Sequence, residues 1–308
     1  MRILICNNRL TKRTGTEIVT RDFALGLKSR GHEVEVITLH AGAIAEEIRN
    51  AGVPVETEAN RLPFAPDVIH ANHEPMIAQA SSAFPKAPVL FQNHAPGDVI
   101  GAGVNNPACV RHFGISQLAC DAISRATGRP TDGIIGNFVD LLLFNPRQTP
   151  LPDKPRRWLI VAEKKHGLRH FAKICVLGAF HGAVVTAVGP RVFRLVENVP
   201  AIAANQDLVF ASARCALEAS AAGAGVIITD YRGTAGFLRG NNVEEAWQKN
   251  LGYALFDKPS TLAALNASIN DWDPRSAETA SKWLRKNASL ETGLSYLETI
   301  YKSMILGK

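Results

Sequence analysis

The chain reads as an α/β protein, and three features predict it. Short apolar runs of strand length alternate with stretches of helical spacing from one end to the other. Over Leu208 to Leu238 a strand, a helix and a second strand follow one another directly. With 308 residues, the chain is long enough for about two domains, each with its own core.

Arg2 to Cys6 is an apolar run ending in Asn7-Asn8, a first strand of a parallel sheet. A polar, basic loop, Arg9 to Thr14, meets Gly15, and a helix follows with Val19, Phe23 and Leu27 on one face until Arg30-Gly31. Strand Glu33 to Leu39 completes a strand-helix-strand unit, although no G-x-G-x-x-G is present. The spacing then predicts a helix over Ala43 to Ala51 and strands over Val53 to Thr57, Val68 to Ala71, Ala87 to Phe91 and Val110 to Ile115. A helix from Gln117 to Thr127 and a short strand from Gly133 to Gly136 follow.

Proline-rich Pro146 to Pro155 has the composition of a linker. Beyond it come strand Trp158 to Ala162, helix Leu168 to Leu177 and strand Ala183 to Gly189, then a short interval, Pro190 to Asp207. Leu208 to Ala211 is an apolar strand, Ser212 an N-cap, and the helix from Ala213 runs until Gly223 and Gly225 stop it. Gly225 to Thr229 is the next buried strand. Asn241 to Asn250 is predicted helical, Tyr253 to Phe256 a last short strand, and Ser260 to Ile269 a helix. Asp271-Trp272-Asp273 is the only D-x-D; because Pro274 follows, Asp273 reads as an N-cap rather than a metal ligand. Leu290, Leu294, Leu297, Tyr301 and Met304 mark an amphipathic terminal helix.

Charged residues at 20% and hydrophobic residues at 46% describe an ordinary globular chain. A net charge of +6 suits an anionic nucleotide or an acidic membrane surface, so peripheral membrane contact stays among the expectations. Without an arginine-rich run or interleaved aromatics, nucleic acid is not expected as a partner. Cys6, Cys109, Cys120, Cys175 and Cys215 are scattered with no C-x-x-C pair, which argues for reduced thiols in a cytoplasmic setting, with no zinc or disulfide framework. The amino-terminal residues begin a strand and no apolar run reaches spanning length, so neither a signal peptide nor a membrane span is expected.

In parallel sheets, ligands bind at the carboxyl ends of strands beside helix N-termini. The amides of Cys215 and Ala216 are therefore candidates for holding a phosphate. Glu218, about one turn further, either hydrogen-bonds a ribose diol in the same crevice or merely complements the helix dipole. Gly15 is either a phosphate-loop glycine or a helix-entry turn. His70 and His73 stand at the end of a strand in His-Ala-Asn-His, too few for a metal site and read as strand-capping. His94 leaves the carboxyl end of another strand and reads as either a site histidine or a satisfied loop histidine. Lys164 and Lys165 follow the strand Trp158 to Ala162, as site cations or as a solvated loop.

ALEASAAGAGVIITDYRGTAGFL resembles the carboxyl-domain signature of the retaining group 1 (family 4) nucleotide-sugar glycosyltransferases, an E-A-x-A-x-G helix followed by a strand and a glycine-rich turn. TGTEIVTRDFALGLKSRGHEVEVIT resembles the amino-terminal signature of the same family, and the run through Gly136-Asn137-Phe138-Val139-Asp140 to Phe144-Asn145-Pro146 resembles its N-G-V-D-x-x-x-F-x-P interdomain segment. The resemblance implies two Rossmann-like domains facing across a cleft, the GT-B architecture, with boundaries at 1–145 and 146–288 and a terminal helix, 289–308, returning to the first domain. It implies a retaining, metal-independent transferase that needs no cofactor, moving sugar from a nucleoside-diphosphate sugar to a saccharide or lipid-linked acceptor in polysaccharide or glycoconjugate synthesis. Glu218 would hold the donor ribose, Gly15 and Thr16 would approach the donor phosphates or the acceptor, His94 would contact the donor sugar, and Lys164 or Lys165 would neutralise the diphosphate. The family's second glutamate falls at Phe210, which departs from the pattern. That departure keeps a catalytically silent nucleotide-sugar-binding subunit open, along with a sugar-nucleotide epimerase on the same architecture.

Overall fold

The computed structural model describes residues 1–62, 64–95, 108–161, 167–189, 192, 194, 196 and 198–307. They form two compact units, Met1–Phe138 with Leu290–Lys308, and Val139–Ser289.

The first unit runs β1 (Arg2–Leu10), α1 (Gly15–Ser29), β2 (Glu33–Ala41), α2 (Ala43–Asn50), β3 (Val55–Glu56), β4 (Val68–Ala71), α3 (Glu74–Ala83), β5 (Val89–Asn93), β6 (Cys109–Gly114), α4 (Gln117–Thr127) and β7 (Gly133–Ile134). Its seven strands are ordered β3-β2-β1-β4-β5-β6-β7, and every neighbouring pair is parallel. Ile3, Leu4, Ile5 and Cys6 are all fully buried, as expected of a strand covered on both faces. Val19, Phe23 and Leu27 form the buried stripe of α1. The first strand is longer than its apolar run: Arg9 pairs with His40 and Leu10 with Ala41, main-chain pairing that does not depend on side-chain polarity. The chain builds outward from β1 through β2 to β3, then returns to the other side at β4. The order reverses between β1 and β4, where such sheets open a crevice.

Helix α11 (Leu290–Leu306) belongs to this unit, burying Leu294, Leu297, Tyr301 and Met304. Leu294 packs so closely on Gly26 of α1 that a Cβ there would come within 2.5 Å of it. Glu298 accepts from His32 at 3.0 Å and pairs with Arg30 at 3.2 Å.

The second unit runs β8 (Arg157–Val161), α5 (Gly167–His181), β9 (Val184–Val188), α6 (Val199–Ala203), β10 (Leu208–Ala211), α7 (Ala213–Ala221), β11 (Gly225–Asp230), β12 (Gly233–Phe237), α8 (Val243–Gln248), α9 (Leu262–Asn270) and α10 (Pro274–Asn287). The strand order is β12-β11-β10-β8-β9. All pairs are parallel except β11 with β12, so the order reverses between β8 and β10.

Three expectations are corrected here. Gly233–Phe237 is not only a glycine-rich turn but an antiparallel edge strand, because its backbone completes the ladder of β11. Tyr253–Leu255 is a short 3-10 turn, not a strand. The proline-rich segment is no free tether. Arg147 N–H donates to Ala222 O at 2.8 Å, its guanidinium reaches Gln206 O and Asp207, and Trp272 Nε1 donates to Pro152 O at 3.1 Å. Asp273 caps α10, accepting from the amides of Arg275 and Ser276 at 3.0 Å each. Among the described residues, no helix is long and apolar enough to cross a membrane.

Candidate functional site

Both sheets place polar groups at the point where their strand order reverses. In the second unit a cavity of about 40 Å³ lies at the carboxyl ends of β8, β10 and β11, walled by His170, Phe210, Ser212, Cys215, Asp230 and Tyr231 among others. Ser212 stands at the N-cap position of α7 in extended conformation but makes no capping bond. The positive end of the helix dipole lies beside the cavity. Ala213, the first helical residue, has φ +53°, a left-handed conformation unusual for a residue with a Cβ, and its amide is tied to Leu251 O at 2.7 Å.

Cys215 lines the cavity, whereas Ala216 lies behind it, fully buried. Glu218 faces Arg214, whose Nε donates to its Oε1 at 2.7 Å, one turn apart on the helix. Phe210 forms the apolar floor, 1% exposed, with its ring 5.3 Å from that of Trp158. A carboxylate at that position would sit against the tryptophan in the core. Lys164 and Lys165 lie outside the described residues.

His170 enters the cavity wall from α5, buried, with Nδ1 2.7 Å from Ser260 Oγ. Burial pushes it down to about 4, against the opposing pull of Asp230, so the ring is neutral. Asp230 is held by Arg232, whose guanidinium lies 4.6 Å over the Tyr253 ring.

In the first unit the reversal point carries a connected polar network. His94, directly after β5, approaches Asn72 Oδ1 through Nε2 at 3.0 Å. Asn72 Nδ2 donates to Thr20 Oγ1 at 3.0 Å, Asn7 Nδ2 donates to the same oxygen at 2.7 Å, and Thr20 passes its proton to Thr16 O at 3.0 Å. Since the Asn72 amide nitrogen is committed to Thr20, its oxygen accepts, and His94 must carry its proton on Nε2. That leaves the His94 Nδ1 lone pair as an acceptor. Burial first, then His73 and His70, push His94 down to about 3, so it is neutral at any physiological pH.

Thr16 takes part in this network through its carbonyl, anchoring the first turn of α1 to β1. Gly15 opens that helix, and a Cβ there would meet nothing within 4 Å. Asn8 Oδ1 is buried at the same strand end with no partner among the described residues.

His70 and His73 do not converge. His70 turns into the core, donating from Nε2 to Gln92 Oε1 at 3.0 Å and accepting from the Tyr301 hydroxyl at 2.6 Å, while His73 accepts from the Asn8 amide at 3.4 Å. No group of three or more histidine, cysteine or acidic residues able to hold a metal exists among the described residues. Sequence reasoning missed Asn72, Thr20, His170 and Asp230. The available signal was position alone, since Asn72 and Asp230 end or follow parallel strands.

No protein-family model matches the chain, and no curated protein matches it in sequence. Solved structures do. HepE of Anabaena, crystallised in complex with UDP and glucose, matches 98% of this chain and 100% of its own at 17% identity and a TM-score of 0.69. A glycosyltransferase from Rickettsia africae matches 99% of this chain and 98% of its own at 15% identity and a TM-score of 0.69. A putative UDP-N-acetylglucosamine 2-epimerase from Listeria monocytogenes matches 100% and 97% at 12% identity and a TM-score of 0.59. At such identities the likeness is one of fold. The fold is GT-B, a pair of Rossmann-like domains.

Proposed function

We propose that the chain is a retaining glycosyltransferase that moves a sugar from a nucleoside-diphosphate sugar to the hydroxyl of a saccharide or lipid-linked acceptor, in polysaccharide or glycoconjugate synthesis. The observation that carries this reading is the cavity at the reversal point of the second sheet, beside the N-terminus of α7. Neighbours of the same fold that bind UDP or act as glycosyltransferases support it. In this reading the second unit binds the donor and the first the acceptor.

The bond from the anomeric carbon to the phosphate oxygen breaks, and the acceptor oxygen bonds to the same face of that carbon. The acceptor proton passes to the departing phosphate, so no dedicated base is required. The charge developing on the diphosphate falls to the amides at the start of α7 and to Lys164 and Lys165 rather than to a metal ion. His94, neutral and fixed through Nε2, offers Nδ1 to a hydroxyl of the transferred sugar. Glu218 takes the ribose diol.

Two observations favour a second reading. Phe210 is apolar and packed in the core, and Glu218 is already paired, which suits a catalytically silent nucleotide-sugar-binding subunit. Titration with uridine and guanosine diphosphates, then a donor screen with acceptor reporting free diphosphate, separates the two. Binding with acceptor-dependent release supports the transferase, and binding without release supports the silent subunit. An epimerase would alter the donor without consuming acceptor.

A further inference from the structure

The floor of the second-unit cavity is apolar at Phe210, yet beside Ser212, Thr229 and Tyr231 its walls hold His170 and Asp230, two groups of opposite hydrogen-bonding character. Among the described residues, His170 makes one hydrogen bond, through Nδ1, to Ser260 Oγ at 2.7 Å. If Nδ1–H donated, the serine proton would lack an acceptor among the described residues. If the serine hydroxyl donates to Nδ1, its proton is used and the ring proton sits on Nε2, with the negative charge of Asp230 acting favourably on the imidazole. The second tautomer is the consistent one, and it gives the cavity a neutral N–H donor.

Asp230 supplies a carboxylate acceptor. Its partner Arg232 spends Nε and Nη2 on that carboxylate and rests its guanidinium on the Tyr253 ring, so it is not part of the cavity wall. A hydroxyl group can accept from an imidazole N–H and donate to a carboxylate at the same time. A carboxylate or phosphate can do only the first and is repelled by the second. The volume, about 40 Å³, admits a small polar arm.

We propose that this cavity receives a neutral hydroxyl of the transferred sugar, held between His170 Nε2–H and the Asp230 carboxylate, so that the chain selects neutral hexose donors over hexuronate donors. The proposal rests on the donor-binding reading of the second unit.

The test is calorimetric binding of UDP, GDP, UDP-glucose, GDP-mannose and UDP-glucuronate to the full chain, to Asp230→Asn and to His170→Gln. The expected result has a neutral hexose conjugate bound more tightly than its bare diphosphate, and UDP-glucuronate bound at least about tenfold more weakly than UDP-glucose. Asp230→Asn should erase that discrimination while leaving affinity for the bare diphosphate unchanged, and should do so even if His170→Gln fails to fold. If the diphosphate binds but hexose and hexuronate conjugates are indistinguishable, the subsite is overturned and the donor-binding reading survives. If neither diphosphate binds, the reading beneath it falls as well.

Discussion

Arg214 Nε donates to Glu218 Oε1 at 2.7 Å within the first two turns of α7, both side chains largely buried. The carboxylate assigned to the donor ribose is therefore held in place by a cation of its own helix. Glu218→Ala should weaken binding of the preferred nucleoside diphosphate at least about tenfold, since charge-assisted hydrogen bonds are worth roughly 1.5–3 kcal/mol each. Arg214→Ala keeps the carboxylate and should cost less. Equal losses by calorimetry, in variants of unchanged unfolding temperature, would reduce the pair to a structural brace.

His94→Ala should cut turnover while sparing affinity for the bare diphosphate, because the assigned partner is the sugar. With its proton on Nε2 toward Asn72 and its titration pushed down to about 3, His94 contributes no limb to the pH–rate profile between pH 5 and 8. An imidazole resonance titrating near 6.5, assigned by its loss in His94→Ala, would contradict the buried neutral form.

Gly15→Ala tests whether the entry to α1 is functional. A methyl group there meets nothing within 4 Å, so the unfolding temperature should hold. If a ligand approaches that backbone, turnover or acceptor affinity falls; if neither changes, Gly15 is only a helix entry.

Two buried groups of the first unit make opposite predictions for stability against pH. Glu35 is 1% exposed, with Oε2 lacking a partner among the described residues. Burial, with Glu56 and Glu33 adding to it, pushes it up to about 7. Its native state keeps a proton that the unfolded chain loses at ordinary glutamate values, so stability is full below about 4.5, declines as pH rises, and is lost once pH passes about 7. Glu35→Gln should therefore stabilise the protein above neutral pH, by on the order of 2–3 kcal/mol, and have little effect at pH 4. His70 runs the other way. Burial lowers it to about 4, so the unfolded chain takes up a proton first and stability falls as pH drops below about 6.5. Urea titrations at pH 4, 6 and 8 read both.

The strands and helices that follow a single apolar period were legible in the sequence. Val19, Phe23 and Leu27 place α1, and Leu208–Ala211 and Ala213–Ala221 stand where the pattern puts them. A strand buried on both faces must be a continuous apolar run, and a helix covering it must carry a stripe, so burial writes these elements into local composition. The strand ends that precede His94 and Ser212 were legible for the same reason, whereas β1 runs on past Asn7 to Leu10. What only the tertiary structure decided depends on partners far along the chain. Gly233–Phe237 has no strand composition and becomes one because β11 offers it an unpaired edge. Pro146–Pro155 has linker composition and is fixed by Arg147 and Trp272. Four histidines look alike in sequence: His70 meets Tyr301 231 residues away, His170 meets Ser260 90 away, His94 meets Asn72 22 away, and His73 meets the Asn8 amide. Desolvation and hydrogen-bond partners set what each can do, and both are properties of neighbours that the fold, not the local sequence, brings together.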